Sequence, residues 1–265
     1  MSGRARPTRP RRADLSQHFL RGASATRLVQ ATSVSKSDLV LEIGPGRGAL
    51  TAPLTKIARK VVAIELDAHL AASLRGRAPS NLEVVTADFL QIELPTERYC
   101  VAGNIPYAIS TEIIRKLDEA VQPPTDAWLV TQREVAFRIC GRPYTRENLW
   151  SLRLKPKWHL EVVHHLKKKE FDPPPSVESV FLNMRHRGRV VIEEEDLPRY
   201  VRLLEEVFRR NTPLNQSLRP WLSKLQIRRL AADLRFSVGD MPGDLMFEQW
   251  LGIFRFCRSN GSIDE

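Results

Sequence analysis

The spacing of apolar positions changes repeatedly along the chain, and each change predicts an element. TRLVQATSV (26–34) places apolar residues at helical spacing, whereas LVLEIG (39–44) is a short, nearly continuous apolar run suited to a buried strand. GALTAPLTKIAR (48–59) returns to the helical period, and the β-branched KVVAIELD (60–67) predicts a second strand. AHLAASLR (68–75) and STEIIRKLDEA (110–120) read as helices; NLEVVTADF (81–89), YCVAGNIP (99–106) and AWLVT (127–131) read as three more strands. Strand–helix alternation of this kind builds an α/β domain around a parallel sheet covered on both faces. Between Trp150 and Arg185 the pattern is less regular, and HLEVVHHL (159–166) and VESVFLNM (177–184) predict two further strands around a Pro-rich loop.

After Arg189 the pattern becomes helical throughout. VIEEEDLPRYVRLLEEVFRR carries Leu197, Val201, Leu204 and Phe208 on one predicted face, and WLSKLQIRRLAADL and LMFEQWLGIFRF have similar spacing. A boundary near residue 188 therefore separates an α/β domain (14–188) from a small helical domain (189–265), preceded by a short tail (1–13). There is no internal repeat.

Composition narrows the function classes. A chain of 265 residues with 42% apolar side chains can bury a substantial core. Its net charge of +10 gives a field that attracts polyanions, nucleic acid foremost. Half of that charge lies in MSGRARPTRPRRA, where five arginines and two prolines predict a disordered tail; it is either a phosphate-tracking arm or a solubilising extension. Cys100, Cys140 and Cys257 are far apart, which suggests neither a disulfide framework nor a zinc site and fits a reducing, cytoplasmic location. No stretch has the ~20 apolar residues of a membrane span, and the N-terminus lacks a signal-peptide pattern, so no membrane partner is expected.

Three strand ends carry the candidate chemistry. Glu42-Ile43-Gly44-Pro45-Gly46-Arg47-Gly48 follows the first strand of the alternation, where glycines let backbone approach a ligand. Its GxGxG spacing departs from the dinucleotide fingerprint GxGxxG, and a purely structural turn is the competing reading. Glu65 ends the next strand about twenty residues on, where a carboxylate accepts from ribose hydroxyls. Asp88, after the third, is placed to accept from an adenine amino group; a capping carboxylate is the alternative for either acid. Together they read as a site for an adenosine-containing cofactor. In Gly103-Asn104-Ile105-Pro106-Tyr107, an amide, a fixed backbone and an aromatic ring suit a pocket for a flat, hydrogen-bonding nucleobase. A helix-capping asparagine and a core tyrosine are the structural alternatives.

With these residues the chain resembles the class I S-adenosylmethionine-dependent methyltransferases, and more closely the rRNA adenine N6-dimethylating superfamily. The resemblance rests on Ser16-Gln17-His18-Phe19-Leu20, Glu42 to Gly48, Glu65, Asp88, Asn104 to Tyr107, and Phe171-Asp172-Pro173-Pro174-Pro175-Ser176-Val177-Glu178-Ser179. It implies a Rossmann-like seven-stranded sheet with one antiparallel strand and a helical C-terminal domain facing RNA. It also implies S-adenosylmethionine as cofactor, with His18 and Leu20 at its methionine end or rim, Gly44 and Gly46 against it, Glu65 on ribose and Asp88 on adenine. Asn104 then lies near the reacting centre. Asn104 and the carbonyl of Ile105, held by Pro106, accept from the adenine amino group, and Tyr107 and Phe171 stack on the extruded base. Where the family commonly has SQNF, this chain has His18, which leaves a backbone contact possible and removes the side-chain amide.

Within the superfamily, the Arg/Pro-rich tail and NIPYAIST in place of NLPYNIST favour the Erm branch. That branch acts on an adenine of 23S rRNA in the peptidyl transferase region and blocks macrolide binding; the other branch dimethylates adenines of 16S rRNA. A non-catalytic, methyltransferase-like RNA-binding factor stays open, and the expected state is a monomer. No metal is expected, since His159, His164 and His165 lack partners at ligand spacing apart from Glu161. Lys167, Lys168 and Lys169, with Arg209, Arg210, Arg228 and Arg229, are either phosphate contacts or solvated surface.

Overall fold

The computed structural model describes residues 18–189 and 191–263. The basic tail, Ser16 and Gln17 lie outside the described residues. A two-residue strand β1 (Phe19–Leu20) leads into α1 (Gly22–Gln30), followed by β2 (Leu39–Ile43), α2 (Thr51–Ile57), β3 (Lys60–Glu65), α3 (Ala68–Arg75) and β4 (Leu82–Thr86). Then come β5 (Tyr99–Asn104), α4 (Ser110–Asp118), β6 (Asp126–Gln132), α5 (Arg133–Cys140), α6 (Leu149–Leu154), β7 (Trp158–Leu166), β8 (Phe171–Asp172) and β9 (Ser179–His186). The last four helices are α7 (Leu197–Arg210), α8 (Leu214–Ser217), α9 (Lys224–Leu234) and α10 (Phe247–Ser259).

Seven strands form one sheet in the order β4-β3-β2-β5-β6-β9-β7, the Rossmann-like α/β arrangement expected from the alternation. β2 pairs in parallel with β3 on one side and β5 on the other, so Ile43 is flanked by Ile64 and by Gly103. The chain steps one way from β2 to β3 and β4, then returns across it to β5. Ligands bind in open α/β sheets outside the strand ends at such a reversal. Gly103 permits the close pairing there: a Cβ on it would stand 2.8 Å from the carbonyl oxygen of Ile43.

Contact density divides the chain into two compact units, one of the described residues up to Arg133 plus Val163–Asn183, the other Glu134–Val162 plus the described residues from Met184 on. In the first unit Leu28, Leu54, Val40, Val61, Val130 and Phe181 are among the side chains of a continuous core. β1 pairs antiparallel with β8, Phe19 opposite Asp172 and Leu20 opposite Phe171. No hydrophobic period announces strands this short.

The helical unit takes in more of the chain than the pattern after Arg189 indicates. Leu152 of α6 is fully buried in one cluster with Tyr200, Leu204, Trp250 and Phe254, which draws residues 134–162 into that unit. The buried face of α7 is Tyr200, Leu203, Leu204 and Val207. Of the face expected from spacing, only Leu204 is buried; Leu197, Val201 and Phe208 pack at its margin. Arg209 and Arg210 both bind Glu206, so these two cations lie on a solvated, charge-paired face.

Candidate functional site: a cavity at the sheet reversal

Residues from the ends of β2, β3, β4 and β5 surround a cavity of about 270 Å³ in the first unit. Its lining includes His18, Leu20, Gly44, Gly46, Glu65, Asp88, Asn104, Ile105, Pro106 and Tyr107. Ten of the eleven candidate positions lie in this one neighbourhood of the fold, and Phe171 does not.

The glycine turn follows β2 directly. Gly44 has φ +61° and a Cβ there would meet nothing within 4 Å, so its bare backbone borders open space. Gly46, φ +55°, has the opposite constraint: a Cβ would stand 2.9 Å from the Phe19 ring. The guanidinium of Arg47 lies 4.4 Å from the centroid of the same ring and 3.5 Å from Asp172. Phe19 is thereby sandwiched between the turn and an arginine.

Glu65 is buried and holds this turn: Oε2 accepts from the Gly46 amide and Oε1 from the Asp67 amide, each at 2.9 Å. A carboxylate has about four lone-pair sites, so capacity remains to accept from a ligand's hydroxyls. Asp67 caps α3 through the amides of His69 and Leu70. Asp88 lies two residues beyond β4, where its Oδ1 accepts from the Leu90 amide at 2.9 Å, an arrangement that fixes the carboxylate beside Phe89.

Asn104 ends β5, and its Nδ2 donates to the carbonyl of His18 at 2.6 Å. That bond settles the amide's orientation and leaves Oδ1 as the acceptor. The Ile105 amide donates to the Val130 carbonyl at 3.1 Å, which clamps the start of the Pro turn to β6. Tyr107 follows, its hydroxyl 2.6 Å from Oγ of buried Ser179. Burial pushes its phenol up, opposed by the Ser179 bond, so it stays protonated at neutral pH. His18 completes this end: Nδ1 is 2.8 Å from the Pro173 carbonyl, and the ring stacks toward Tyr107 with centroids 6.1 Å apart and planes inclined by 30°.

Phe171 is a correction. The pleat of the β1–β8 ribbon sends it inward; it is fully buried in the core and does not border the cavity. A stacking face for a base is absent at that residue, and the ring facing Tyr107 belongs to His18.

One residue of the cavity wall was given no role by the sequence pattern. Glu42 is 1% exposed and borders the cavity, and neither carboxylate oxygen has a hydrogen-bond partner among the described residues. Burial, reinforced by nearby Glu65 and opposed by neighbouring Thr51, pushes its carboxyl up to about 8. A lone acid within the apolar run LVLEI was the available signal. The donor set fits an adenosine-bearing cofactor with an amino-acid end: bare backbone at Gly44, a fastened acceptor at Glu65, another at Asp88, and an unsatisfied carboxyl at Glu42.

A family model described as ribosomal RNA adenine dimethylase matches residues 9–256. The chain belongs to this family. An rRNA adenine N-6-methyltransferase of Saccharopolyspora erythraea is 34% identical over 261 residues, 95% of this chain and 66% of that protein. A ribosomal RNA small subunit methyltransferase A of Koribacter versatilis is 34% identical over 218 residues, covering 73% of this chain and 76% of the relative. Among solved structures, the 23S rRNA methyltransferase ErmE superposes with a TM-score of 0.84 at 30% identity, covering 93% of this chain and 100% of that one. Fold and family are those of the S-adenosylmethionine-dependent rRNA adenine methyltransferases, with the α/β sheet and helical C-terminal region they share.

Proposed function

We propose that the chain transfers methyl groups from S-adenosylmethionine to N6 of a specific adenine in the peptidyl transferase region of 23S rRNA, and so confers macrolide-type resistance. The orientation of the Asn104 amide carries the reading. With Nδ2 engaged by His18, Oδ1 is left as the acceptor of a residue that lines the cavity with Tyr107. Adenine N6 is a poor nucleophile because its lone pair is delocalised into the ring. Acceptors on its hydrogens, Oδ1 of Asn104 and the carbonyl of Ile105, localise that pair and aim it. Tyr107 stacks on the extruded base, and Pro106 fixes the turn between them.

S-adenosylmethionine, when bound, supplies an electrophilic methyl group. Glu65 binds its ribose, Asp88 its adenine, and the Gly44–Gly46 backbone with Leu20 and the His18 strap borders the methionine end. Likeness to the 23S rRNA methyltransferase ErmE along 93% of the chain favours 23S over 16S rRNA. The arginine-rich tail and NIPYAIST support the same choice.

The test is transfer of radiolabelled methyl from S-adenosylmethionine to protein-free 23S rRNA and, in parallel, to assembled small subunits, with the modified base mapped. Label at N6 of a 23S adenine is expected. Label on small subunits alone would make the chain a 16S dimethyladenosine transferase. Cofactor binding without transfer to either would favour an RNA-binding factor that does not turn over.

A further inference from the structure

Beyond β4 the backbone from Ala87 to Ile92 belongs to no helix or strand, yet it carries Asp88 and Phe89 to the cavity wall. Carbonyls in such a segment have no ladder partner and must be satisfied another way. Lys116 does this for two of them: Nζ donates to the Leu90 carbonyl at 3.1 Å and to the Ile92 carbonyl at 2.5 Å. The same ammonium lies 5.5 Å from the centroid of the Phe89 ring. Burial pushes its pKa down, and the charge of Asp88 opposes that shift. The cation therefore senses the carboxylate while gripping the backbone two and four residues beyond it.

Lys116 stands in the last turn of α4, the helix that begins three residues after Tyr107. A lysine there suits the negative end of the helix dipole, and a surface role ending at that would be the ordinary interpretation. Two carbonyl acceptors and a facing ring on one segment are more than a solvated lysine needs. Replacement by arginine would preserve charge and donors; replacement by methionine would keep the apolar stem alone.

We infer that Lys116 is a positioning residue of the cofactor site, strapping the segment that carries Asp88 and Phe89 to the helix that follows Asn104 and Tyr107, so that occupation of the adenine subsite is felt at the base-binding turn. The inference rests on the cofactor reading above. It assigns Lys116 no contact with cofactor or RNA. Its effect is on where Asp88 stands, and hence on how well the site tells adenine from a ring lacking the amino group.

Calorimetry with S-adenosylhomocysteine and its inosine counterpart, S-inosylhomocysteine, tests this on the full chain. Wild type binds the adenosine compound and prefers it over the inosine one. Lys116→Met weakens S-adenosylhomocysteine about tenfold and brings the preference close to one, whereas Lys116→Arg restores most of both. In turnover the methionine variant raises KM for the cofactor and leaves kcat within about threefold. An unchanged preference in a folded Lys116→Met protein overturns the inference, as does equal weakening of both compounds, the mark of general loosening. Hydrogen exchange on wild type gives a check independent of the variant: S-adenosylhomocysteine should slow residues 88–92 and α4 together, and protection of the segment without α4 contradicts the strap. Failure of wild type to bind S-adenosylhomocysteine overturns the cofactor reading itself, a result distinct from the failures above.

Discussion

The roles proposed for single residues at the cavity are separable by substitution. Tyr107 is held by its ring and by the 2.6 Å contact with Ser179. Tyr107→Phe keeps the ring and loses that anchor, a loss of about 1 kcal/mol and so a roughly fivefold slower transfer. Ser179→Ala should match it, and the double variant should be no worse than either; additive losses in kcat would dissociate the anchor from the ring. Tyr107→Ala removes the stacking face and should abolish most turnover. Glu42 gives a pH signature. Its carboxyl, raised from an ordinary 4.5 to about 8, stays protonated in the folded chain after the unfolded chain has lost its proton. Stability therefore falls as pH rises between those values and levels off above about 8. Glu42→Gln should flatten that slope in thermal melts of the cofactor-free protein, and an unchanged slope would assign it to other groups. The placement of Asn104 and Glu65 on the cavity wall was legible from the sequence because strand ends expose side chains at fixed offsets. Phe171 misled because an aromatic before a Pro-rich loop looks the same whether its ring faces the cavity or the core.

At the scale of elements, the sheet strands and α3 were legible because their apolar runs are long enough to show a period. The β1–β8 ribbon was not, since two residues carry no period, and it nonetheless delivers His18 and Phe19 to the cavity. Leu20 and Phe171 anchor it in the core, and polar contacts fasten its flank: the Arg21 amide donates to the Glu170 carbonyl at 2.9 Å, Ser24 donates to the Glu170 carboxylate at 2.9 Å, and Arg27 pairs with that same carboxylate. Burial acts to raise the Glu170 carboxyl, but the Lys167 amide, Arg27 and Ser24 together hold it below the usual range. The junction of β2 and β5 is tighter. A methyl at Gly103 would crowd the Ile43 carbonyl, and backbone cannot swing aside as a side chain can. Gly103→Ala is expected to destabilise the chain by roughly 2 kcal/mol and to weaken cofactor binding with it; a wild-type melting temperature would contradict the close approach.

For the whole molecule, the α/β character and a helical C-terminal region followed from where the hydrophobic period changes. The extent of the helical unit did not, because membership in a core depends on contacts such as Leu152 with the α7 cluster that no local pattern records. Net charge of +10 makes RNA affinity a matter of counterion release. If the five arginines of residues 1–13 contact phosphates, deleting them should lower the slope of log affinity against log salt by about four to five, and an unchanged slope would make the tail a bystander. At the proposed reacting centre, the Asn104 amide is fastened through its nitrogen and its oxygen is the acceptor assigned to adenine N6. Asn104→Ala tests this assignment most directly when cofactor affinity, by calorimetry, and methyl transfer, in single turnover, are measured on the same preparation. Near-normal S-adenosylmethionine affinity with transfer reduced about 10²–10³-fold is expected. Equal losses in both, or transfer near the wild-type rate, would contradict it.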